Sequence, residues 1–116
     1  MYFNNDEHDD AKLVAEKSNR IEEKVSFQSR FVFIYGGIDH VMAKTTCERL
    51  IALSHESADP ITIVISSPGG HVESGDAIHD MIKFVRAPVT IIGTGWVASA
   101  GSHIFLAVPK GRRLCM

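Results

Sequence analysis

The chain has 116 residues, enough for one domain and not two. Apolar residues make up 45%, charged residues 22%, and the formal net charge is −2, a balance that offers no broad basic surface for nucleic-acid phosphates. No apolar run approaches the ~20 residues that span a bilayer, and the acidic, polar start is the opposite of a secretory leader, so a soluble protein is expected.

The charge is unevenly placed. Asp6, Glu7, Asp9 and Asp10 make the first ten residues acidic, whereas seven acids and seven bases balance from Phe31 onward. Residues 1–30 read as a polar leader, with helix-favouring residues between Asp10 and Val25 that predict a loosely docked helix. The two cysteines, Cys47 and Cys115, lack metal-ligand spacing, which points to a reducing cytoplasm rather than a disulfide scaffold.

From residue 31 the pattern alternates. Phe31-Val-Phe-Ile-Tyr35, followed by Gly36-Gly37, predicts a strand. Asp39 is placed to cap a helix over about Val41 to His55, where Ala43, Cys47, Leu50 and Ser54 recur at helical spacing, and Pro60 ends the segment. The apolar run Ile61 to Ile65 predicts a strand buried on both faces. Ser66-Ser-Pro-Gly-Gly70 is a turn, and Glu73 to Val85 predicts a helix with Ala77, Ile78, Met81, Ile82 and Val85 on one face. Val89 to Ile92 predicts a third strand. Ala98 to Val108 predicts a helix apolar nearly all round, hence buried, and Lys110 to Cys115 the start of a fourth strand. The order β-α-β-α-β-α-β implies a mainly parallel α/β sheet with helices against it.

Two turns rich in small residues join a strand to a helix. In Ser67-Pro68-Gly69-Gly70, proline fixes its own φ and the glycines permit positive φ, so backbone N–H groups can face an anionic oxygen; a plain tight connection is the competing reading. In Gly93 to Gly101, Ser99 stands at a helix N-terminus among Ala98, Ala100 and Gly101. That setting leaves room for a substrate and offers free N–H donors to a developing oxyanion. A serine acting only as an N-cap is the competing reading here.

Other motifs fit less well. Gly93-Thr-Gly95-Trp-Val-Ala98 matches a dinucleotide fingerprint, but it follows the third strand, and no Asp or Glu occurs after Asp80 to hold a ribose. Neither glycine turn ends in the Gly-Lys-Ser/Thr of a phosphate loop. Val97 stands where the hydrolase elbow needs its first glycine.

Taken together, the two turns resemble the proteolytic subunit of the ATP-dependent Clp protease. The resemblance rests on Ile-Val-Ile-Ser-Ser-Pro-Gly-Gly (63–70), Val72, Gly75, Ile78-His-Asp-Met81 and Gly95-Trp-Val-Ala-Ser-Ala-Gly101. It runs from about Arg30 to the last residue, with Phe33-Ile-Tyr-Gly-Gly-Ile38 and Lys110-Gly-Arg-Arg-Leu114 near its ends. It implies residues 31–116 to be the N-terminal part of a Clp-type peptidase domain, an incomplete ββα spiral shared with crotonases. By position it implies Ser99 as nucleophile and Gly70 and Ala100 as backbone donors of the oxyanion hole. Gly69, Gly70, His71 and Val72 would be the segment on which a peptide pairs as an added strand. Trp96 stands where the family has a smaller or more flexible residue, either walling the site or filling core. The resemblance further implies peptides of unfolded proteins as substrate, no metal or nucleotide cofactor, an ATP-driven AAA+ unfoldase ring as partner, and homo-oligomers in stacked seven-membered rings.

A serine needs a base to take its proton. The family's histidine lies in a segment beginning Pro-Asn, just beyond a strand like Arg113 to Met116, and its aspartate lies further on, so neither is expected within these residues and the chain alone is expected to be inactive. Locally, His103 lies four residues after Ser99 with no carboxylate expected to orient it, and His71 lies beside the glycine turn. His79 reads as structural, and His8, His40 and His55 as surface residues. Two alternatives follow: a non-catalytic ring or interaction subunit, favoured by the missing base, and a crotonase-like thioester enzyme, which would not need Ser99.

Overall fold

A computed structural model describes residues 11–14, 16–17 and 28–116. Residues 11–14 and 16–17 are helical; the remainder of the helix expected over Asp10 to Val25 lies outside the described residues. Among the described residues, no helix is long and apolar enough to cross a membrane.

Four strands form one parallel sheet in the order β1-β2-β3-β4: β1 Phe31–Tyr35, β2 Ile61–Ser67, β3 Val89–Val97 and β4 Arg113–Cys115. Between them run α1 His40–Glu56, α2 Val72–Phe84, α3 Ala100–Phe105 and a 3-10 turn at Lys110–Arg112. Register aligns Val32 with Ile63 and Ile63 with Ile91, so one row of branched residues crosses three strands. Each crossover steps the same way across the sheet. Right-handed connections of that kind leave the intervening helices on one face. The core is therefore single: Val32, Ile34, Ile63, Ile65 and Ile91 meet Leu50, Leu53, Ile78, Ile82 and Ile104 from the helices.

This placement corrects one expectation. β2 is not buried on both faces; its residues alternate between buried and half-buried. The face away from the helices is open, with Phe33, Tyr35 and Leu114 exposed. Continuous apolar character in β2 thus serves a sheet of which one side has no helix layer among the described residues.

Local chemistry sets the element ends. The Oδ1 of Asp39 accepts from the Met42 N–H at 2.7 Å and caps α1. At the other end of α1, Arg30 donates from Nη1 to the Leu53 carbonyl (3.0 Å) and from Nη2 to those of Ser57 (3.0 Å) and Asp59 (2.8 Å). It brings a cation to the C-terminal end of the helix, where the dipole favours positive charge. Two expected lengths change at the third crossover. β3 continues to Val97 through the glycine turn, because Gly95 (φ +60°) accommodates a bulge between the Ile65–Gly93 and Ser67–Val97 pairs. α3 is correspondingly short, Ala100–Phe105, and Leu106 beyond it is exposed while Ile104 and Val108 are buried.

Candidate active site

Both small-residue turns lie at the C-terminal edge of the sheet, where parallel α/β sheets build their sites. They interlock there. Ser67, fully buried at the end of β2, accepts the Gly69 N–H on its Oγ (3.0 Å) and the Ala98 N–H on its carbonyl (3.1 Å). One residue thus shapes the glycine turn and anchors the serine turn. A β-carbon on Gly101 would stand 3.3 Å from the Ser67 carbonyl oxygen, and one on Gly75 would stand 3.0 Å from the Cβ of Ala100. Glycine at these positions lets α2 and α3 approach the turns closely.

Gly69 and Gly70 hold φ of +102° and +149°. A parallel bridge joins Ile38 to Gly70: the Ile38 N–H donates to Gly69 O (2.9 Å) and the His71 N–H to Ile38 O (2.8 Å). A β-carbon on Gly70 would collide with the backbone of Ile38. Among the described residues, no acceptor takes the N–H of Gly70 or of Ala100. Two amide donors therefore remain uncommitted on the two sides of the interlocked turns.

Ser99 is exposed and sits at the N-cap position of α3 with φ +53° and ψ −123°. Its side chain makes no cap hydrogen bond. The cap reading of this serine is thus not what the geometry realises, and a non-glycine residue is held in a conformation that costs on the order of 1–3 kcal/mol. The hydroxyl is spent on no structural bond among the described residues.

The histidines divide clearly. His71 caps α2: its Nδ1 lies 3.2 Å from the Ser74 amide N, which donates to it, and 2.6 Å from Ser74 Oγ. The His71 N–H is bound to Ile38 as well, and that of Gly69 to Ser67, so within Gly69–His71 the N–H of Gly70 is the uncommitted one. Val72 is exposed beside it. His103 does have a carboxylate, contrary to expectation: its Nε2 lies 3.0 Å from Asp76 Oδ1 on α2. Its ring stacks on His79 at 4.2 Å, and His79 Nδ1 meets Asp80 Oδ1 at 3.1 Å. No bond joins His103 to the Ser99 hydroxyl; the link between these residues is the helical His103 N–H to Ser99 O (3.2 Å). His40 and His55 are exposed as expected, and His8 lies outside the described residues. Trp96 is 63% exposed, so it is not core. Among the described residues, no cluster of three His, Cys, Asp or Glu could hold a metal.

Sequence patterns named Ser67 and Ile38 only as members of motifs, without a role of their own, and did not single out Asp76. Ser67 carried a signal in its place before Pro-Gly-Gly, where serine hydroxyls bond the backbone two residues on. The contributions of Ile38 and Asp76 depend on contacts between distant segments.

A family model described as Clp protease matches residues 14–116. The ATP-dependent Clp protease proteolytic subunit 3 of Rhizobium johnstonii is 52% identical over 112 residues, covering 97% of this chain and 58% of that protein. Proteolytic subunit 2 of Gluconobacter oxydans is 48% identical over 110 residues, covering 93% of this chain and 49% of that protein. The structure of ClpP1 from Listeria monocytogenes superimposes with a TM-score of 0.78 at 49% identity, covering 82% of this chain and 55% of that one. The chain thus spans about half the length of these relatives.

Proposed function

This chain belongs to the Clp protease family, and from that premise we propose that it carries the nucleophile and oxyanion half of a serine endopeptidase site. Ser99 Oγ attacks the carbonyl carbon of a peptide bond, and the Gly70 and Ala100 N–H groups receive the oxyanion that forms. The observation that carries this reading is the strained, uncapped Ser99 pressed against the glycine turn, with unpaired amides at Gly70 and Ala100 on either side. Pre-positioned donors of this kind lower an acyl-transfer barrier because they need no reorganisation as charge develops.

The proton of Ser99 must go to a base, and the described histidines are engaged elsewhere or make no bond to the hydroxyl. We therefore place the base outside residues 28–116 and expect little turnover from this chain alone. The substrate is an unfolded polypeptide, recognised through backbone pairing beside Gly70. The reading includes a cytoplasmic, ring-forming subunit served by an AAA+ unfoldase, with no metal, nucleotide, nucleic acid or membrane required. Residues 31–116 act in it as the N-terminal part of the peptidase domain, preceded by a polar leader.

A second reading, a non-catalytic ring or interaction subunit, draws on the same missing base and on the open sheet face bearing Phe33, Tyr35 and Leu114. A fluorophosphonate probe followed by mass spectrometry separates the two. Label on Ser99, slow without a base and lost in Ser99→Ala, supports the nucleophile and oxyanion half of a peptidase site even where peptide turnover is small. A folded sample that takes no label supports the interaction subunit.

A further inference from the structure

At the end of the sheet opposite Ser99, the C-terminal ends of α2 and α3, the start of β3 and the 3-10 turn enclose an open groove of about 680 Å³. Every charged side chain lining it is a cation: Lys83, Arg86, Arg112 and Arg113. No Asp or Glu lines it to neutralise them. Leu106 and Pro109 contribute apolar wall between the cations.

Four like charges around one groove should splay apart unless something holds them. Three are held by backbone carbonyls. Arg86 Nε donates to Ser54 O (3.1 Å), Arg112 Nε to Val89 O (3.1 Å) and Arg113 Nε to Val108 O (2.9 Å). Carbonyls orient a guanidinium without cancelling its charge. Among the described residues, the Nη atoms of these three arginines and the Lys83 Nζ have no partner. The result is a set of anchored forks with donor edges left over, the arrangement that receives carboxylates two bonds at a time.

We propose that this groove binds an acidic peptide segment, its carboxylates on the arginine forks and its apolar atoms against Leu106 and Pro109. Volume favours a peptide over a small inorganic anion, since 680 Å³ is the size of an organic-ligand pocket. Charge favours it over nucleic acid: the net charge is −2 and acids balance bases from Phe31 onward, so no excess of cations is available to neutralise a phosphate backbone. β3 separates the groove from the Ser99 turn by roughly 25 Å at strand rise, so this site stands independently of the serine reading.

The test is an NMR titration of the 15N-labelled 116-residue protein with a ten-residue peptide of alternating Glu and Leu, alongside a Gln–Leu control. The expected result is saturable shifts at the amides of Lys83, Arg86, Arg112 and Arg113, weakening steeply between about 50 and 300 mM salt. Lys83→Gln, which gives up no internal bond, and Arg112→Gln should each weaken binding about tenfold, as loss of one charge-assisted contact does. Lys83→Gln carries the test by itself where Arg112→Gln, deprived of its Val89 anchor, fails to fold. Equal binding of the Gln–Leu control, shifts confined to other surfaces, unchanged affinity in Lys83→Gln, or inorganic phosphate saturating the same amides and excluding the peptide would each overturn the proposal. Probe labelling of Ser99 is unaffected by any of these outcomes, so the two proposals fail separately.

Discussion

Gly69 and Ser99 occupy a shared contact: a β-carbon built on Gly69 would fall 2.7 Å from the Cβ of Ser99 and 3.1 Å from the amide nitrogen of Ala100. Nothing larger than hydrogen fits between the two turns. Gly69→Ala must therefore displace the serine turn as well as strain its own backbone, which holds φ +102°. The expected cost is about 2–3 kcal/mol in urea unfolding. Large NMR shifts at the Ser99 and Ala100 amides should accompany it. A variant that melts lower but leaves those two amides in place would show that the turns are not mechanically coupled.

Strain at Ser99 predicts an unusual stability pattern. Ser99→Gly relieves the φ +53°, ψ −123° conformation and gives up no cap bond. Against that relief stands about 0.5–1 kcal/mol of extra unfolded-chain entropy for glycine. The net expectation is a gain between about 0 and 2.5 kcal/mol, with Ser99→Ala within about 0.5 kcal/mol of the parent because it keeps the β-carbon. If the serine were a helix cap, Ser99→Ala would instead lose about 1 kcal/mol. Denaturant midpoints of the three proteins decide between these patterns.

Features that follow from short-range chemistry were legible in the sequence. Asp39 before a helical period and glycine pairs after branched runs act within a few residues, and the structure places them as read, whereas the helix expected from Ala98 begins only at Ala100 and leaves Ser99 outside it. Legibility failed where an outcome depends on which segments meet. The apolar run of β2 looked doubly buried because its pattern cannot reveal that all three crossovers put their helices on one side. The turn after Ile92 looked like the end of a strand because Gly95 supports a bulge as readily as a turn. The carboxylate partner of His103 was missed because Asp76 comes from another helix, 27 residues earlier in the chain.

The Asp76–His103 pair invites a catalytic role that its geometry does not support. Its imidazole faces Asp76 and stacks on His79, without a bond to the Ser99 hydroxyl. Both side chains are about half exposed, so solvent screens the pair and Asp76→Asn should change stability by no more than about 1 kcal/mol. His103→Gln should alter the rate of fluorophosphonate labelling at Ser99 less than about threefold, whereas loss of a general base costs about a hundredfold or more. Labelling that falls by that larger factor would make His103 the base after all.

Cys47 supplies a pH-dependent prediction. Its thiol lies between α1 and α2, 3.8 Å from the Ala77 carbonyl, and burial raises its pKa above the ordinary thiol value. The folded chain therefore holds this proton more tightly than the unfolded chain does. Below the ordinary thiol range both states are protonated and the full contribution is present. As pH climbs past that range the unfolded chain deprotonates first and is favoured, so stability declines until the folded thiol also ionises. Cys47→Ala loses packing at every pH, a constant offset, but it should show a shallower alkaline decline than the parent. Cys115→Ala, at an exposed position, serves as the reference for a thiol without this burial. Urea midpoints taken across the alkaline range measure the difference directly, since other alkaline groups contribute alike to all three proteins. Parallel declines in the parent and Cys47→Ala would mean that the buried thiol is not the group sensing pH.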